Sequence, residues 1–293
     1  MSRIAYVNGR YVPHNDAAVH IEDRGYQFAD GVYEVFAVHH GELIGKKGHL
    51  ERLGHSLKEL QIEWPMAPAP LMVVVREIVR RNYVRNGLVY IQITRGVARR
   101  DHPFPDHTES ALVVTARKAP PLDKEKLSKG VDVITVPDIR WTRRDIKSVS
   151  LLPNILAKQQ AREAGAFEAW QVDSDGFVTE GTSTNAWIVT KDGELVTRNA
   201  GVSILNGITR LGVLEAATEA GLTFSERPFT PEEALEAREA FITSSTSHVK
   251  AVTSIDNQSV GNGHVGDMTS QLLDLYVAYI EKCGGPQQSG TWN

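Results

Sequence analysis

Three features of the sequence predict an α/β chain. Short alternating or β-branched runs read as strands, stretches with apolar residues at helical spacing lie between them, and a polar, proline-containing break falls at residues 117–130. At 293 residues the chain is too long for one small core, so its length fits either a two-lobed protein or one large domain, with the break RKAPPLDKEKLSKG as the expected boundary. Hydrophobic residues at 41% and charged residues at 23% are those of an ordinary soluble protein, and a net charge of -4 supplies no basic excess for a phosphate backbone. Small-molecule chemistry is therefore expected ahead of nucleic-acid binding. Cys283 is the single cysteine, which excludes a disulfide within the chain and a cysteine-based metal site. The sequence opens without a charged and then apolar leader, and its most apolar short run, Leu71 to Val75, is too brief to cross a bilayer. A cytoplasmic protein with no membrane span is the expectation.

The elements follow in order. Ile4 to Val12 reads as a β-hairpin about Asn8-Gly9, a pair that readily takes the positive φ angles of a tight turn. Residues 24–38 pass from a glycine-rich turn into a strand with Val32, Glu34, Phe36 and Val38 on one face and Tyr33 and Val35 on the other. His39, His40 and Gly41 turn that strand back; adjacent histidines in a turn are expected to be solvated, and they are given no metal role. Leu50, Leu53, Leu57 and Leu60 predict an amphipathic helix over 49–62, and a second is expected over 70–85 after the break at Pro65, Pro68 and Pro70. Leu88 to Thr94 and Ala111 to Ala116 are strands, separated by a loop that carries Arg99, Arg100 and His102.

Beyond the break, Val131 to Val136 is a strand, and a helix starts at Pro153 with Ile155, Leu156 and Ala164 as its apolar positions. Phe167 to Val172 and the run from Phe177 form a hairpin about Ser174-Asp175-Gly176. A turn at Asn206-Gly207 leads into a helix, a strand lies near Phe224, a helix spans 232–238, and a last helix covers 268–280 before a loose tail at 284–293.

Three stretches have chemical potential. Lys147, between Ile146 and the apolar Val149, Leu151 and Leu152, has two readings: a solvated strand end, or an amine in a partly dry site whose neutral form condenses with a carbonyl. Lys250, in HVKAV, sits in a similar setting, so periodicity does not choose between the readings. The arm FVTEGTSTNAWIV places Glu180 beside Thr182, Ser183, Thr184 and Asn185, which makes that face either wet or the holder of a polar ligand. A second hydroxyl run, Thr243 to Ser247, and the helix start at Ile208 and Thr209 together suit an anion, although capping by itself accounts for the threonine.

RGYQFADGVYEV at 24–35, TRG with Arg100 and His102 after it, DIKS at 145–148, TEGTSTN at 179–185, GITR at 207–210 and TSSTS at 243–247 occur in family order. Together they resemble the class IV aminotransferases, pyridoxal-phosphate enzymes of fold type IV, and most closely the members that act on D-amino acids. The resemblance spans nearly the whole chain. It implies an α/β (α+β) protein with a small N-terminal α/β domain at 1–118, a linker at 119–130, a large cofactor-binding domain at 131–283 and a flexible tail at 284–293.

The same resemblance implies that Lys147 holds pyridoxal 5'-phosphate as a Schiff base and shuttles the proton, and that Glu180 pairs with the pyridine nitrogen. Arg52, Ile208, Thr209, Ser244 and Ser245 would hold the phosphate. Tyr33, Arg100 and His102 would hold the substrate carboxylate, the last two from a neighbouring subunit, which implies a homodimer with shared active sites. Ala29 stands where a glycine is common and Ser245 where a threonine is frequent. Arg99 adds a charge that either favours acidic substrates or is solvated. The implied reaction moves an amino group between a D-amino acid such as D-alanine and a 2-oxo acid. Branched-chain L-amino acid aminotransferase, (R)-amine transaminase and aminodeoxychorismate lyase are the alternatives within the family. A catalytically silent binder of the cofactor is the alternative outside it.

Overall fold

Asn8 and Gly9 take φ angles of 42° and 87°, the left-handed conformation that folds β1 (Ile4–Val7) back on β2 (Arg10–Pro13). This hairpin opens the first of two units in a computed structural model that describes residues 3–284. The first unit takes in the described parts of 1–122, 146–150 and 281–293, and the second comprises 123–145 and 151–280. The tail expected at 284–293 lies, from residue 285 on, outside the described residues.

In the first unit the chain continues through α1 (Arg24–Phe28), β3 (Gly31–His39), β4 (Glu42–Leu43), α2 (Lys46–Glu59), α3 (Pro68–Arg81), β5 (Gly87–Thr94) and β6 (Ala111–Lys118). The strands form one antiparallel sheet in the order β2-β1-β6-β5-β3-β4. β3 meets β5 in an unbroken register from Gly31 opposite Thr94 to Val38 opposite Gly87, which keeps Val32, Glu34, Phe36 and Val38 on the buried face and Tyr33 and Val35 on the half-buried one. Leu53 and Leu57 of α2 and Leu71, Val75 and Ile78 of α3 share a core with Val89, Ile91, Ile93 and Val114. The second helix starts at Pro68 and stops at Arg81, short of the expected Arg85. The side-chain amide of Asn82 ends it by donating to the carbonyls of Ile78 and Ile4, and Tyr83 then turns the chain at a φ of 51°.

His39 departs from expectation. It is buried although alternation puts it on the half-buried face of β3 with Tyr33 and Val35: the His40 ring and Glu281 lie against it, and His40 and Gly41 make the turn at φ angles of 51° and 92°.

The second unit runs through α4 (Lys124–Leu127), β7 (Val131–Pro137), α5 (Leu152–Glu163), β8 (Glu168–Val172), β9 (Val178–Gly181), β10 (Asn185–Val189), β11 (Leu195–Thr197), α6 (Ile208–Glu219), β12 (Phe224–Glu226), α7 (Pro231–Glu236), β13 (Glu239–Ser244), β14 (His248–Ile255), β15 (Gln258–Ser259) and most of α8 (Asp267–Gly284). Its mixed sheet has the order β12-β11-β10-β13-β14-β7-β8-β9, with β15 on β14 and parallel pairs at β14/β7, β7/β8 and β11/β12. Trp170, Ile188, Val196, Ile242 and Val252 fill its core.

Two expectations are corrected in this unit. The arm from Phe177 is not one strand: β9 ends at Gly181, residues 182–184 bend, and β10 starts at Asn185. Gly181 permits this, since a Cβ there would lie 2.2 Å from Thr184 Oγ1. The apolar stripe of α5 is also misassigned. Its inward residues are Ala157 and Ala161, small enough to let the helix lie close on β7 and β8, whereas Leu152, Ile155 and Leu156 are exposed.

Candidate active site

Lys147 lies on the segment 146–150 that belongs to the first unit. Its carbonyl accepts the Tyr33 N–H at 3.0 Å, its own N–H donates to Ser56 Oγ at 3.1 Å, and Val149 N–H donates to Gly31 O at 3.0 Å. The backbone is thus fixed from β3 and from α2. Its Nζ stands 4.3 Å from the centre of the Tyr33 ring, which in turn stacks on Tyr90 at 5.6 Å. Burial, and then the neighbouring Tyr33, push the Tyr90 hydroxyl up to about 12. Lys250, the rival from the sequence, is pinned differently: its Nζ donates to the Lys126 carbonyl at 3.1 Å.

On the opposite face of β3, fully buried Glu34 accepts from Arg52 Nε at 2.8 Å and Nη2 at 2.8 Å, and lies 2.7 Å from His49 Nδ1. Burial alone would raise this carboxyl, but the Arg52 guanidinium and the His49 bond outweigh it and hold Glu34 at about 2. Burial lowers His49 against the opposing pull of Glu34, so a neutral imidazole donating through Nδ1 to a carboxylate satisfies both groups. Arg52, expected at a phosphate, is oriented by this carboxylate. Glu34 and His49 were missed in the sequence, although an acid on the inward face of an alternating strand is a signal in itself.

Arg100 and His102 are exposed on the loop after β5, and Phe28 lies within 5.0 Å of the Arg100 guanidinium carbon and 5.7 Å of the His102 ring. Two buried arginines hold the loop. Arg24 donates to the carbonyls of Asp101, His102 and Pro103, and Arg95 covers the Phe104 ring at 3.6 Å. Asp30 bridges them, 2.7 Å from each Nε; burial pushes its carboxyl up, but the two guanidinium groups bring it below the ordinary value. Tyr33 lies with Lys147, and the exposed Arg100 and His102 lie with Phe28. Arg99 is exposed.

In the second unit Glu180 ends a chain of buried charge. Arg140 Nη1 reaches Glu180 Oε1 at 2.5 Å and its Nη2 reaches Asp138 Oδ2 at 2.8 Å, while Thr179 Oγ1 donates to the same Asp138 oxygen. Burial opposes the charge on Arg140, and the two carboxylates overcome it and raise its affinity for the proton. Glu180 Oε2 accepts from Asn185 Nδ2 and from the Leu205 N–H, both at 3.1 Å, and Asn185 also donates to the Leu205 carbonyl. Gly207, the N-cap of α6, packs against this amide, since a Cβ there would sit 2.1 Å from Asn185 Oδ1. The carboxylate is thus hydrogen-bonded to Leu205, two residues before the N-cap of α6, and the Asn185 amide that it accepts from packs against that cap.

Ile208 and Thr209 are the first two residues of α6, whose first-turn amides have no partner within a helix. Thr209 is not the cap; its hydroxyl lies 3.3 Å from Tyr276 Oη. Ser244 ends β13 and accepts the N–H groups of Thr246 and Ser247, so that half of the hydroxyl run closes the turn, with Ser245 half-buried within it. In the other hydroxyl run Thr182 and Thr184 are buried and Ser183 is exposed. Thr182, Ser183 and Thr184 direct their hydroxyls at fully buried Glu168, which neither periodicity nor the resemblance had singled out.

The family model for amino-transferase class IV matches residues 31–255. The chain belongs to the class IV aminotransferases. This class IV aminotransferase is 44% identical to a D-alanine aminotransferase of Bacillus licheniformis, over 90% of its own length and 93% of the relative's. It is 39% identical to a D-alanine aminotransferase of Staphylococcus haemolyticus, over 94% and 97% of the two chains. Among solved structures it resembles the T.th. branched-chain amino acid aminotransferase with pyridoxamine 5'-phosphate, at a TM-score of 0.88, 25% identity, and coverage of 99% and 97%. Its architecture is that of fold type IV, the α/β class expected from the motifs. Among the described residues no helix is long and apolar enough to cross a membrane.

Proposed function

We propose that this aminotransferase uses pyridoxal 5'-phosphate to move an amino group from a D-amino acid such as D-alanine to a 2-oxo acid such as 2-oxoglutarate, giving pyruvate and D-glutamate. The observation that carries this reading is the 44% identity over 90% of the chain to a D-alanine aminotransferase. The donor set also fits the cofactor. A carboxylate that accepts from Arg140 and from two N–H donors suits a protonated ring nitrogen, and a helix start with its own threonine suits a phosphate.

Bound pyridoxal 5'-phosphate supplies an electron sink for negative charge at the substrate Cα. Lys147 would hold the cofactor through its amine, and that amine, once free, would serve as the base for the proton on the substrate Cα. Glu180 would pair with the ring nitrogen and favour its protonated form. Arg52, Ile208, Thr209, Ser244 and Ser245 anchor the phosphate, and the Glu34 contact keeps the Arg52 guanidinium in one orientation. Tyr33 holds the substrate carboxylate, with Arg100 and His102 from a second copy of the chain. Their exposure on a pinned loop supports that reading, as do the exposed apolar residues Leu152, Ile155 and Leu156 of α5, which a homodimer would cover. The domain division at 1–118 and 131–283 and a cytoplasmic location belong to the same proposal.

The test is an assay on both enantiomers of alanine and leucine and on (R)-phenylethylamine, each with 2-oxoglutarate. Consumption of D-alanine and release of pyruvate are expected. Turnover of L-leucine with no D-alanine turnover would replace the reading with that of a branched-chain enzyme.

A further inference from the structure

We propose that His39, His40 and Glu281 form a binding site for a divalent transition metal of the zinc type, separate from the transamination chemistry. Neighbouring residues of a strand point to opposite faces, so His39 and His40 would ordinarily lie apart. The φ of 51° at His40 breaks the alternation and brings the two ring centres to 4.1 Å. Glu281, in the last turn of α8 and part of the same unit, meets them: Oε1 is 3.2 Å from His39 Nε2 and Oε2 is 3.9 Å from His40 Nε2. One ligand atom from each residue falls within 4.8 Å of the other two.

The chemistry selects the ion. Two imidazoles and one carboxylate are a donor set for zinc and its neighbours, whereas calcium and magnesium take oxygen ligands. Tetrahedral coordination at 2.0–2.1 Å separates ligand atoms by about 3.3 Å. The His39 to Glu281 distance of 3.2 Å already matches this edge, and closure at His40 needs only a rotation of an exposed ring. A second observation points to a ligand. The His39 side chain is 9% exposed, and among the described residues its Nε2 has no hydrogen-bond partner, the approach of Glu281 being out of alignment. A buried imidazole nitrogen aimed at a carboxylate and a second imidazole is satisfied by a cation. His40 and Glu281, with side chains 49% and 55% exposed, leave an entry path and room for water as the remaining ligand. Bound metal would fix the end of α8 to the turn after β3.

The experiment is zinc titration of the holoenzyme against a chromophoric chelator, with calcium and magnesium as parallel arms. One zinc per chain is expected, with no displacement by the other two ions. His40→Ala and Glu281→Ala, both at exposed positions, should each weaken zinc binding at least tenfold and leave D-alanine turnover as in the parent. A control carrying His107→Ala and His264→Ala should bind as the parent does. Equal zinc affinity in the parent and in the His40 and Glu281 variants would overturn the proposal, as would a parent protein that takes up no zinc at micromolar concentration.

Discussion

Glu34, His49 and Arg52 show how one buried carboxylate ties a proposed phosphate-binding residue to the pH dependence of the whole fold. The folded pKa of Glu34, about 2, lies below its ordinary 4.5, so the stability it contributes is fully present above pH 4.5 and is lost as pH falls toward 2. The span corresponds to about 3 kcal/mol. His49 is also lowered, from 6.5; the unfolded chain binds the extra proton, and stability falls as pH drops below 6.5. Urea unfolding between pH 7 and 3 should therefore show two successive losses. Glu34→Gln should remove the second and keep the first, since His49 remains buried. A variant that retains the full loss below pH 4.5 would show that other carboxylates account for it. Residues of this kind were only half legible. Lys147 and Glu180 were named through their motifs, because a resemblance carries roles across at a residue's own position. Arg140 and Glu168 have no motif; each matters through side chains that folding brings to it, Glu180 across 40 positions and the hydroxyls of 182–184 across 14 to 16.

The elements were legible wherever a period could be read, and less so where a side chain from elsewhere set the boundary. β3 and β5 follow from alternation and β-branched content. The stop of α3 depends on Asn82 reaching the carbonyl of Ile4, a contact no local pattern contains. α5 misled because its large apolar residues face outward and its alanines inward, the reverse of the usual weighting by size. The start of α6 permits a sharper test. Gly207 has an ordinary φ of -67°, so alanine is allowed by the backbone, yet its Cβ would displace the Asn185 side chain that donates to Glu180. Alanine is also a poor N-cap compared with glycine. Gly207→Ala is expected to weaken binding of pyridoxal 5'-phosphate about tenfold, the scale of one buried hydrogen bond. Cofactor titration followed by visible absorbance measures it. Unchanged affinity would mean that Asn185 is not needed to position Glu180.

At the scale of the molecule, the proposed shared site assigns Lys147 and Arg100 to different chains. Lys147 is fixed to β3 and α2 of its own chain, whereas Arg100 and His102 stand exposed on a loop whose anchors, Arg24 and Arg95, hold its backbone and leave those two side chains outward. If each site takes Lys147 from one copy and Arg100 from the other, Lys147→Ala and Arg100→Ala homodimers are both defective at every site. Mixing them under conditions that exchange subunits creates hybrids with one site carrying both substitutions and one carrying neither. With equal amounts and random pairing, half of the dimers are hybrids and half of their sites are intact, so recovery of about a quarter of the parent turnover is expected. The gain must appear only after subunit exchange and must be absent when either variant is incubated alone. Adding Leu152→Glu and Ile155→Glu to both variants should abolish the recovery by placing charge on the apolar face of α5, with sedimentation showing monomers. No recovery despite demonstrated exchange would place Arg100 in the same chain's site as Lys147, and the exposed loop would then need another role.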